Sequence, residues 1–323
     1  MNGVIIGVDG GGTKTLAVAC QMDGTILAAQ RGVGINYNNI GMDQARDNLA
    51  QVIDGLLQQC GQDYAEICIG MPALDMAADE ATTCAFAGKA FDPARLDMQS
   101  DAYTALQGFT LGKPGIIVIC GTGSILLLMD ENAGQHVRGG WGHMLGDRGS
   151  SHAIASAGLS AAIDSWEHVG PDTALCEAAL RHFCLSHPRQ LIDRVYTPEC
   201  GPHGIASFAK EVLLLAARGD QAAYAIVEKE MKHVAAQVAA MIEEHPEAFR
   251  VGMYGGVFAH NPLARDLFCS ALCARIPHAQ VSQPEYPPEL GALIHSFQKH
   301  GWLNDQVLSN MKESYAALQA QGL

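Results

Sequence analysis

The stretch Gly7-Val8-Asp9-Gly10-Gly11-Gly12-Thr13-Lys14-Thr15 decides how the rest of the chain is interpreted. An apolar run over residues 3–8 leads into it and another follows over 15–22, so the pattern predicts two strands joined by a glycine-rich turn. The pair Asp23-Gly24 then predicts a tight hairpin into a third strand over 25–30. Three antiparallel strands are therefore expected before any helix.

The glycine-rich turn matches neither of the two common phosphate-binding motifs. A Walker loop places Gly directly before Lys and continues as a helix, whereas here Thr13 precedes Lys14 and a strand follows. The dinucleotide fingerprint needs a third glycine ahead of a helix, and position 15 is Thr. A turn without side chains over Gly10–Gly12 can nevertheless wrap phosphate oxygens with its N–H groups. A hairpin that binds no ligand is the alternative for this turn taken alone.

The same order of elements restarts after residue 113. A strand over 116–120, the turn Gly121-Thr122-Gly123, a strand beginning at Ser124 and a shorter strand near 135–138 follow one another. Both halves open with strand, Gly/Thr turn and strand before passing into helices, although they share no evident identity. The sequence therefore predicts two α/β units rather than one continuous sheet. If the two turns face each other, they suit a polyphosphate such as ATP.

Helices and buried strands fill the remaining sequence. The apolar stripe of Val227, Met231 and Val234 predicts a core-facing helix. The pair Gly255-Gly256 has two interpretations. It provides a flat backbone surface for a nucleoside, or it only allows a helix and a strand to pack closely. Strands are expected over 67–71, 96–99 and 251–254, and helices over 43–60, 79–89, 102–109, 151–166, 173–184, 204–218, 221–244, 261–275, 288–300 and 304–321.

Composition excludes several classes of protein. A chain of 323 residues, 48% hydrophobic and 17% charged, is globular and long enough for a large core. No apolar run approaches the ~20 residues that cross a bilayer, and the first residues lack the basic segment of a signal peptide. A net charge of −14 argues against a nucleic-acid partner. Ten scattered cysteines without a CxxC pair predict reduced thiols and a cytoplasmic location.

Six motif segments are distributed along the chain, at 7–15, 100–102, 120–124, 139–143, 145–150 and 255–258. Taken together, they resemble the motifs of a known family, the N-acetylglucosamine kinase and glucosamine kinase group of the BadF/BadG/BcrA/BcrD ATPases in the actin–hexokinase superfamily. The resemblance runs from residue 3 to about residue 297. It implies an α/β fold of two ribonuclease-H-like (actin-like ATPase) domains, each a mixed five-stranded sheet with helices, flanking a cleft that holds ATP. The expected domains are 1–113 and 114–302, with a terminal helix over 303–323 packing back on the first.

The resemblance also implies roles for individual residues. Asp101 matches the catalytic base, and Asp9 would hold Mg²⁺ through water. Phosphates would contact Gly10, Gly11, Gly12, Thr13, Lys14, Thr15, Gly121, Thr122, Gly123 and Ser124, and Gly255 and Gly256 would line the nucleoside pocket. The residues expected to contact the sugar are Asn36, Asp101, Thr122, Gly140, Trp141 and Asp147.

The residues themselves leave other interpretations open for several of these positions. Asp101 is equally well explained as a helix N-cap, and Asn36 as a loop residue that bonds to its own backbone. Trp141 is also explained as a buried core residue. Asp147 is also explained as a residue that closes a turn before the helix that begins at Ser151.

The expected function is ATP- and Mg²⁺-dependent phosphorylation of a hydroxyl on an amino sugar, the 6-hydroxyl of N-acetylglucosamine or glucosamine, with anhydro-muramic acid also open. The expected partners are the sugar, ATP and a second copy of the chain, without a membrane or nucleic acid. Two alternatives stay open: an activator ATPase that drives electrons to an acyl-CoA dehydratase or reductase, and a non-catalytic sugar-binding regulator. The activators need an iron–sulfur cluster, and the segment that would add a second cysteine to Cys120 is not found.

Overall fold

The structure, a computed structural model, describes residues 3–322, and these form two compact units. Unit 1 comprises residues 3–113 and 284–322, and unit 2 comprises residues 114–283. Among the described residues, none of the helices is both long enough and apolar enough to cross a membrane.

Unit 1 is built on a mixed five-stranded sheet with the order β3-β2-β1-β4-β5. The first three strands pair antiparallel, whereas β1, β4 and β5 are parallel. Its strands are β1 (Val4–Gly10), β2 (Lys14–Cys20), β3 (Ile26–Val33), β4 (Tyr64–Met71) and β5 (Leu96–Ser100). The helices that precede unit 2 are α1 (Tyr37–Ile40), α2 (Met42–Cys60), α3 (Glu80–Ala87) and α4 (Asp101–Thr110).

Unit 2 repeats this topology, with the strand order β10-β9-β6-β7-β8. Here β6, β7 and β8 pair antiparallel, and β6, β9 and β10 are parallel. Two mixed five-stranded sheets with helices therefore confirm the expected fold class. The strands are β6 (Gly115–Cys120), β7 (Ser124–Met129), β8 (Gln135–Gly139), β9 (Arg250–Tyr254) and β10 (Gln280–Ser282). The helices are α5 (Ser151–Trp166), α6 (Leu175–Phe183), α7 (Leu191–Val195), α8 (Gly201–Ser207), α9 (Ala209–Ala217), α10 (Gln221–Glu244), α11 (Gly256–Ala259) and α12 (Pro262–Cys273).

The last two helices, α13 (Pro288–Lys299) and α14 (Asp305–Ala320), belong to unit 1. We expected α13 in the second domain, but the structure packs it in backbone contact with α4 and β1. A Cβ atom at Gly291 would collide with the carbonyl oxygen of Thr104 in α4, and one at Gly7 would collide with that of Glu289 in α13. The fully buried Phe297 then joins the core on this face of the sheet.

Short elements account for most of the other differences from expectation. The helix expected over 204–218 is divided into α8 and α9 at Phe208, which is fully buried and lies 5.9 Å from the ring of Phe183. The elements α7, α11 and β10 were not expected, because three to five residues are too few to show a hydrophobic period.

Candidate active site

The carboxyl ends of β1, β4 and β5 lie side by side at one edge of the unit 1 sheet. Asp9 is the penultimate residue of β1, and Asp101 begins α4 directly after β5. Both carboxylates are partly buried, and the charge on Asp9 contributes to a raised pKa at Asp101. The parallel pairing therefore brings the predicted metal ligand and the predicted base to one place in the sheet.

The two aspartates share an unusual electrostatic environment. Burial raises the pKa of Asp101 to about 6, and repulsion from Asp9 adds to the rise. The hydrogen bond that Oδ1 of Asp101 accepts from the N–H of Ala102 at 2.7 Å lowers the pKa and so partly opposes it. Burial also raises the pKa of Asp9 to about 6, with repulsion from Glu289 adding to it and attraction to Lys14 opposing it. A carboxylate with a pKa near 6 is mostly ionised at pH 7 and can accept a hydroxyl proton.

Helix α4 does not need Asp101 as its cap. Ser100 is the N-cap, and its Oγ accepts a hydrogen bond from the N–H of Tyr103 at 3.1 Å. The interpretation of Asp101 as an N-cap is therefore wrong, because the residue is the first of the helix. This position leaves the carboxylate at the positive end of the helix dipole, where negative charge is favoured.

The glycine-rich turn between β1 and β2 is closed by its own backbone. The N–H of Gly11 donates to the carbonyl oxygen of Lys14 at 2.9 Å. The residues between them, Gly12 and Thr13, are exposed, as is Lys14. The turn thus presents backbone, a hydroxyl and an ammonium to solvent, which is the surface that a phosphate group needs.

Two residues expected to contact phosphates are committed to other partners. Thr15 is 2% exposed, and its Oγ1 donates to the carbonyl oxygen of Val33 at 2.8 Å. Ser124 is 6% exposed, and its Oγ donates to the carbonyl oxygen of Arg148 at 2.8 Å. Both hydroxyls hold neighbouring chain segments in place, so the expectation that these side chains bind phosphate is corrected here.

Asn36 lies next to the glycine-rich turn. The N–H of Ile35 donates to the carbonyl oxygen of Gly11 at 3.1 Å, which ties this segment to the turn. The Oδ1 atom of Asn36 caps α1 by accepting the N–H of Asn38 at 3.0 Å. Asn36 is therefore a loop residue whose side chain bonds to the nearby backbone, as considered above. The same bond fixes the orientation of its amide beside the turn.

In unit 2, the turn between β6 and β7 is anchored to the first residues of α5. The N–H of Gly121 donates to the carbonyl oxygen of Gly123 at 2.9 Å. The N–H groups of Ser151 and His152 donate to the carbonyl oxygens of Gly121 and Thr122 at 2.8 and 3.2 Å. The turn is therefore rigid, because both of its ends and the helix behind it are bonded.

The loop over 140–147 packs against this turn. Asp147 is 8% exposed in a left-handed conformation with φ +53°, and its Oδ1 accepts the N–H of Gly142 at 3.1 Å. A Cβ atom at Gly123 would lie 2.8 Å from Oδ2 of Asp147, so the carboxylate touches the turn. Burial raises the pKa of Asp147.

Gly140 and Trp141 begin the same loop. Gly140 has φ +68°. Trp141 is 73% exposed, which excludes the buried position considered for it.

The second glycine pair lies at the end of β9, beside the end of β6. Gly255 has φ +96°, and a Cβ atom there would collide with the carbonyl oxygen of Cys120, so only glycine fits. Gly256 begins α11 with open space at its Cα and lines a cavity of about 550 Å³ in unit 2. The lining also includes Ser151, Lys210, Leu213, Leu214, His260 and Asn261.

The acidic residues at the unit 1 sheet edge fit a magnesium ion. Asp9 and Asp101 both have raised pKa values, and Glu289, 3% exposed, adds a third carboxyl group near Asp9. The ammonium of Lys14 attracts the carboxylate of Asp9 and partly offsets the repulsion from Glu289. Carboxylate oxygens are the ligands that Mg²⁺ takes in proteins, and its charge would relieve this repulsion.

Sequence reasoning missed two buried glutamates. Glu289 repels the charge on Asp9 and so raises the pKa of Asp9. Glu230 binds the guanidinium of Arg148 through both carboxylate oxygens at 2.7–3.1 Å. It also accepts the N–H of Gly149 at 2.8 Å. Glu230 falls within the apolar stripe of α10, so a charged residue on a core-facing stripe was the available signal. No comparable signal marks Glu289.

Residues 6–296 match the model of the BadF/BadG/BcrA/BcrD ATPase family. The chain belongs to this family. Among similar proteins, the N-acetyl-D-glucosamine kinase of Dictyostelium discoideum is 26% identical over 90% of the chain and 97% of its own length. The N-acetylmuramic acid/N-acetylglucosamine kinase of Clostridium acetobutylicum is 29% identical over 90% of the chain and 97% of its own length.

A solved structure from Chromobacterium violaceum, provisionally assigned as an N-acetylglucosamine kinase, superimposes on this member of the family with a TM-score of 0.75. It is 25% identical, and the match covers 90% of the chain and 98% of the solved one. The family and the fold that the motifs predicted are confirmed by these matches.

Proposed function

We propose that the protein is an ATP-dependent kinase that phosphorylates an amino sugar, at the 6-hydroxyl of N-acetylglucosamine or glucosamine. The observation that carries the proposal is Asp101, a partly buried carboxylate beside Asp9 at the carboxyl edge of the sheet. The names of the relatives support the class of enzyme and the class of sugar. The prediction of a kinase made from the motifs agrees with them.

Asp101 acts as the general base in this proposal. Phosphoryl transfer needs an acceptor oxygen in line with the γ-phosphorus and the removal of its proton as the bond forms. With a pKa of about 6, Asp101 is about nine-tenths ionised at pH 7, and its conjugate acid is weak enough to hold the proton. The bond from Ala102 keeps Oδ1 fixed, so the carboxylate is oriented before the sugar arrives.

Each unit offers a turn that suits a phosphate group of ATP. In unit 1 the contacts come from the backbone of Gly10, Gly11 and Gly12 with the exposed Thr13 and Lys14. In unit 2 they come from the turn Gly121-Thr122-Gly123, which is rigid because α5 anchors it. Asp9 would hold Mg²⁺, which supplies positive charge against the phosphate oxygens when bound.

The sugar and the nucleoside contact the remaining predicted residues. The proposed sugar contact in unit 1 is Asn36. In unit 2 the proposed sugar contacts are Thr122, Gly140, Trp141 and Asp147, of which Trp141 offers an exposed apolar face and Asp147 a carboxylate acceptor. Gly255 and Gly256 contact the nucleoside, and the 550 Å³ cavity that Gly256 lines has the size of a small-molecule site.

The structure does not favour the activator ATPase. An iron–sulfur cluster needs accessible thiolates, whereas Cys120 is fully buried and its pKa is raised by that burial.

A sugar panel tests the proposal. The protein is incubated with Mg-ATP and, separately, N-acetylglucosamine, glucosamine, N-acetylmuramic acid, anhydro-muramic acid and glucose, and ADP release is measured. ADP release that depends on an amino sugar is expected, with glucose slower. Equal ADP release with and without every sugar would reject the kinase. A cytoplasmic location and a homodimer stay predictions, the second to be checked by light scattering.

A further inference from the structure

A cluster outside the candidate active site brings three metal-ligating side chains together in unit 2. Asp130 follows β7, His136 lies in β8, and His245 directly follows α10. One donor atom of each lies within 4.8 Å of the other two. Nε2 of His136 is 2.8 Å from Oδ2 of Asp130, and the rings of His136 and His245 have centroids 4.1 Å apart.

The groups around the cluster hold these side chains in position. Oδ1 of Asp130 accepts the N–H groups of Asn132 and Gly134, both at 2.8 Å, and this directs Oδ2 toward His136. Oε1 of Glu247 lies 3.6 Å from Nδ1 of His245, which is an ion-pair contact beyond hydrogen-bond distance. A carboxylate next to a metal-ligating imidazole is a common partner of its second nitrogen, so Glu247 would take that role by moving closer.

We propose that Asp130, His136 and His245 bind a divalent transition metal, with Zn²⁺ the best match. Two imidazoles and one carboxylate are a donor set that Zn²⁺ prefers, and a water completes four-coordination at the solvent side, where His136 is 42% exposed. Tetrahedral bonds of about 2.0–2.1 Å set neighbouring donors about 3.3 Å apart. When Nε2 of His136 and Oδ2 of Asp130 both bind the metal, their separation is therefore expected to increase by about 0.5 Å from the 2.8 Å seen here.

The charges nearby distinguish this cluster from a second one in unit 1. Cys68, Asp97 and His295 also lie within 4.8 Å of one another, but Nζ of Lys299 is 2.8 Å from Oδ2 of Asp97. A lysine ammonium is therefore already paired with the carboxylate that a metal would need there. At the proposed site the nearby guanidinium, that of Arg138, is paired with Glu244 instead.

The position of the site indicates what the metal does. It joins the turn between β7 and β8 to the end of α10, whereas the turn over 121–124 lies at the opposite end of β7. The six residues of β7 place these two ends about 17 Å apart. Metal binding is therefore expected to stabilise unit 2 and to leave the candidate active site unchanged.

Zinc titration of chelator-stripped protein tests the site. The matched variants are His245→Phe, which keeps a ring over His136 without a donor nitrogen, and Asp130→Asn, which keeps the Oδ1 acceptor and loses the charge. His278→Phe, an exposed histidine of the same unit outside the cluster, is the control. The number of Zn²⁺ ions bound per chain is measured by competition with a chromophoric chelator, and thermal melting is recorded with and without Zn²⁺.

The wild-type protein and the control are expected to bind one more Zn²⁺ than either variant, and only they are expected to melt at higher temperature with Zn²⁺. Because exposed cysteine thiols, those of Cys84, Cys184 and Cys273, can also bind zinc, the difference of one site between proteins is the informative quantity. The proposal is overturned if the wild-type protein and His245→Phe bind the same number of ions. It is also overturned if Zn²⁺ shifts the melting of both equally.

Discussion

Replacing Asp101 by Asn is expected to make the protein more stable at neutral pH and almost inactive as a kinase. The uncharged amide fits the same space and can still accept the N–H of Ala102, but it cannot take a proton from the sugar hydroxyl. Losing a general base lowers turnover by roughly 10²–10⁴-fold. Binding of ATP is expected to change little, because Asp101 faces the acceptor in this account.

The gain in stability follows from the raised pKa. Its rise from 3.8 to about 6 means that folding disfavours the ionised form of Asp101, at about 1.4 kcal/mol for each pKa unit. Between pH 4 and pH 6 the folded protein binds more protons than the unfolded chain, so this cost grows as pH rises and is complete above pH 6. Asp101→Asn removes it and is expected to raise the free energy of unfolding by about 1–3 kcal/mol at pH 7.5, and by about a third of that amount near pH 4.5.

Asp97→Asn is the matched control, four residues earlier in β5. Burial alone would raise the pKa of Asp97, but hydrogen bonds from His295 and Lys299 outweigh it and lower the pKa. Its charge therefore stabilises the fold at pH 7.5, and the variant is expected to lose about 2 kcal/mol or more. Urea unfolding at the two pH values, together with a steady-state kinase assay, measures both effects. Normal turnover in Asp101→Asn, or a loss of stability at pH 7.5, would refute the reasoning.

Three further substitutions test other parts of the structure. Gly255→Ala forces a φ of +96° on alanine and drives its Cβ into the carbonyl of Cys120, so thermal unfolding should show a loss of at least about 2 kcal/mol. Glu230→Gln removes the charge that holds Arg148, and urea unfolding should show a loss of about 1–3 kcal/mol. Trp141→Ala should raise KM for the sugar about tenfold and leave KM for ATP unchanged in steady-state kinetics, whereas a larger effect on ATP would contradict its place at the sugar.

The elements set by local pattern were predictable from the sequence. The Asp23-Gly24 pair predicts the β2–β3 hairpin, and the structure closes it as a longer loop. The N–H of Gln21 donates to the carbonyl oxygen of Thr25, the N–H of Gly24 donates to that of Gln21, and Gly24 has φ +90°. The apolar stripe of α10 gives the helix over its observed bounds. The order of strand, glycine turn and strand was enough to predict the repeated topology.

Features that depend on packing between distant segments were not predictable. Nothing near Pro288 indicates that α13 returns to unit 1, because the decisive contacts are backbone contacts at Gly291 and Gly7. Thr15 and Ser124 look like phosphate ligands in a motif, and only the structure shows their hydroxyls bonded to Val33 and Arg148. Motif matching gives residue types at positions, whereas the partner of each side chain is decided by tertiary structure.

The reaction product tests the central proposal most directly. The protein and Asp101→Asn are each incubated with N-acetylglucosamine and Mg-ATP, and proton–phosphorus correlation NMR identifies the atom that carries the transferred phosphate. We expect a phosphate coupled to the two protons on carbon 6, formed together with ADP and at least about 100-fold more slowly by the variant. A phosphate that stays on ATP or appears only as inorganic phosphate, or equal rates for both proteins, would contradict the assignment of Asp101 as the base of a sugar kinase.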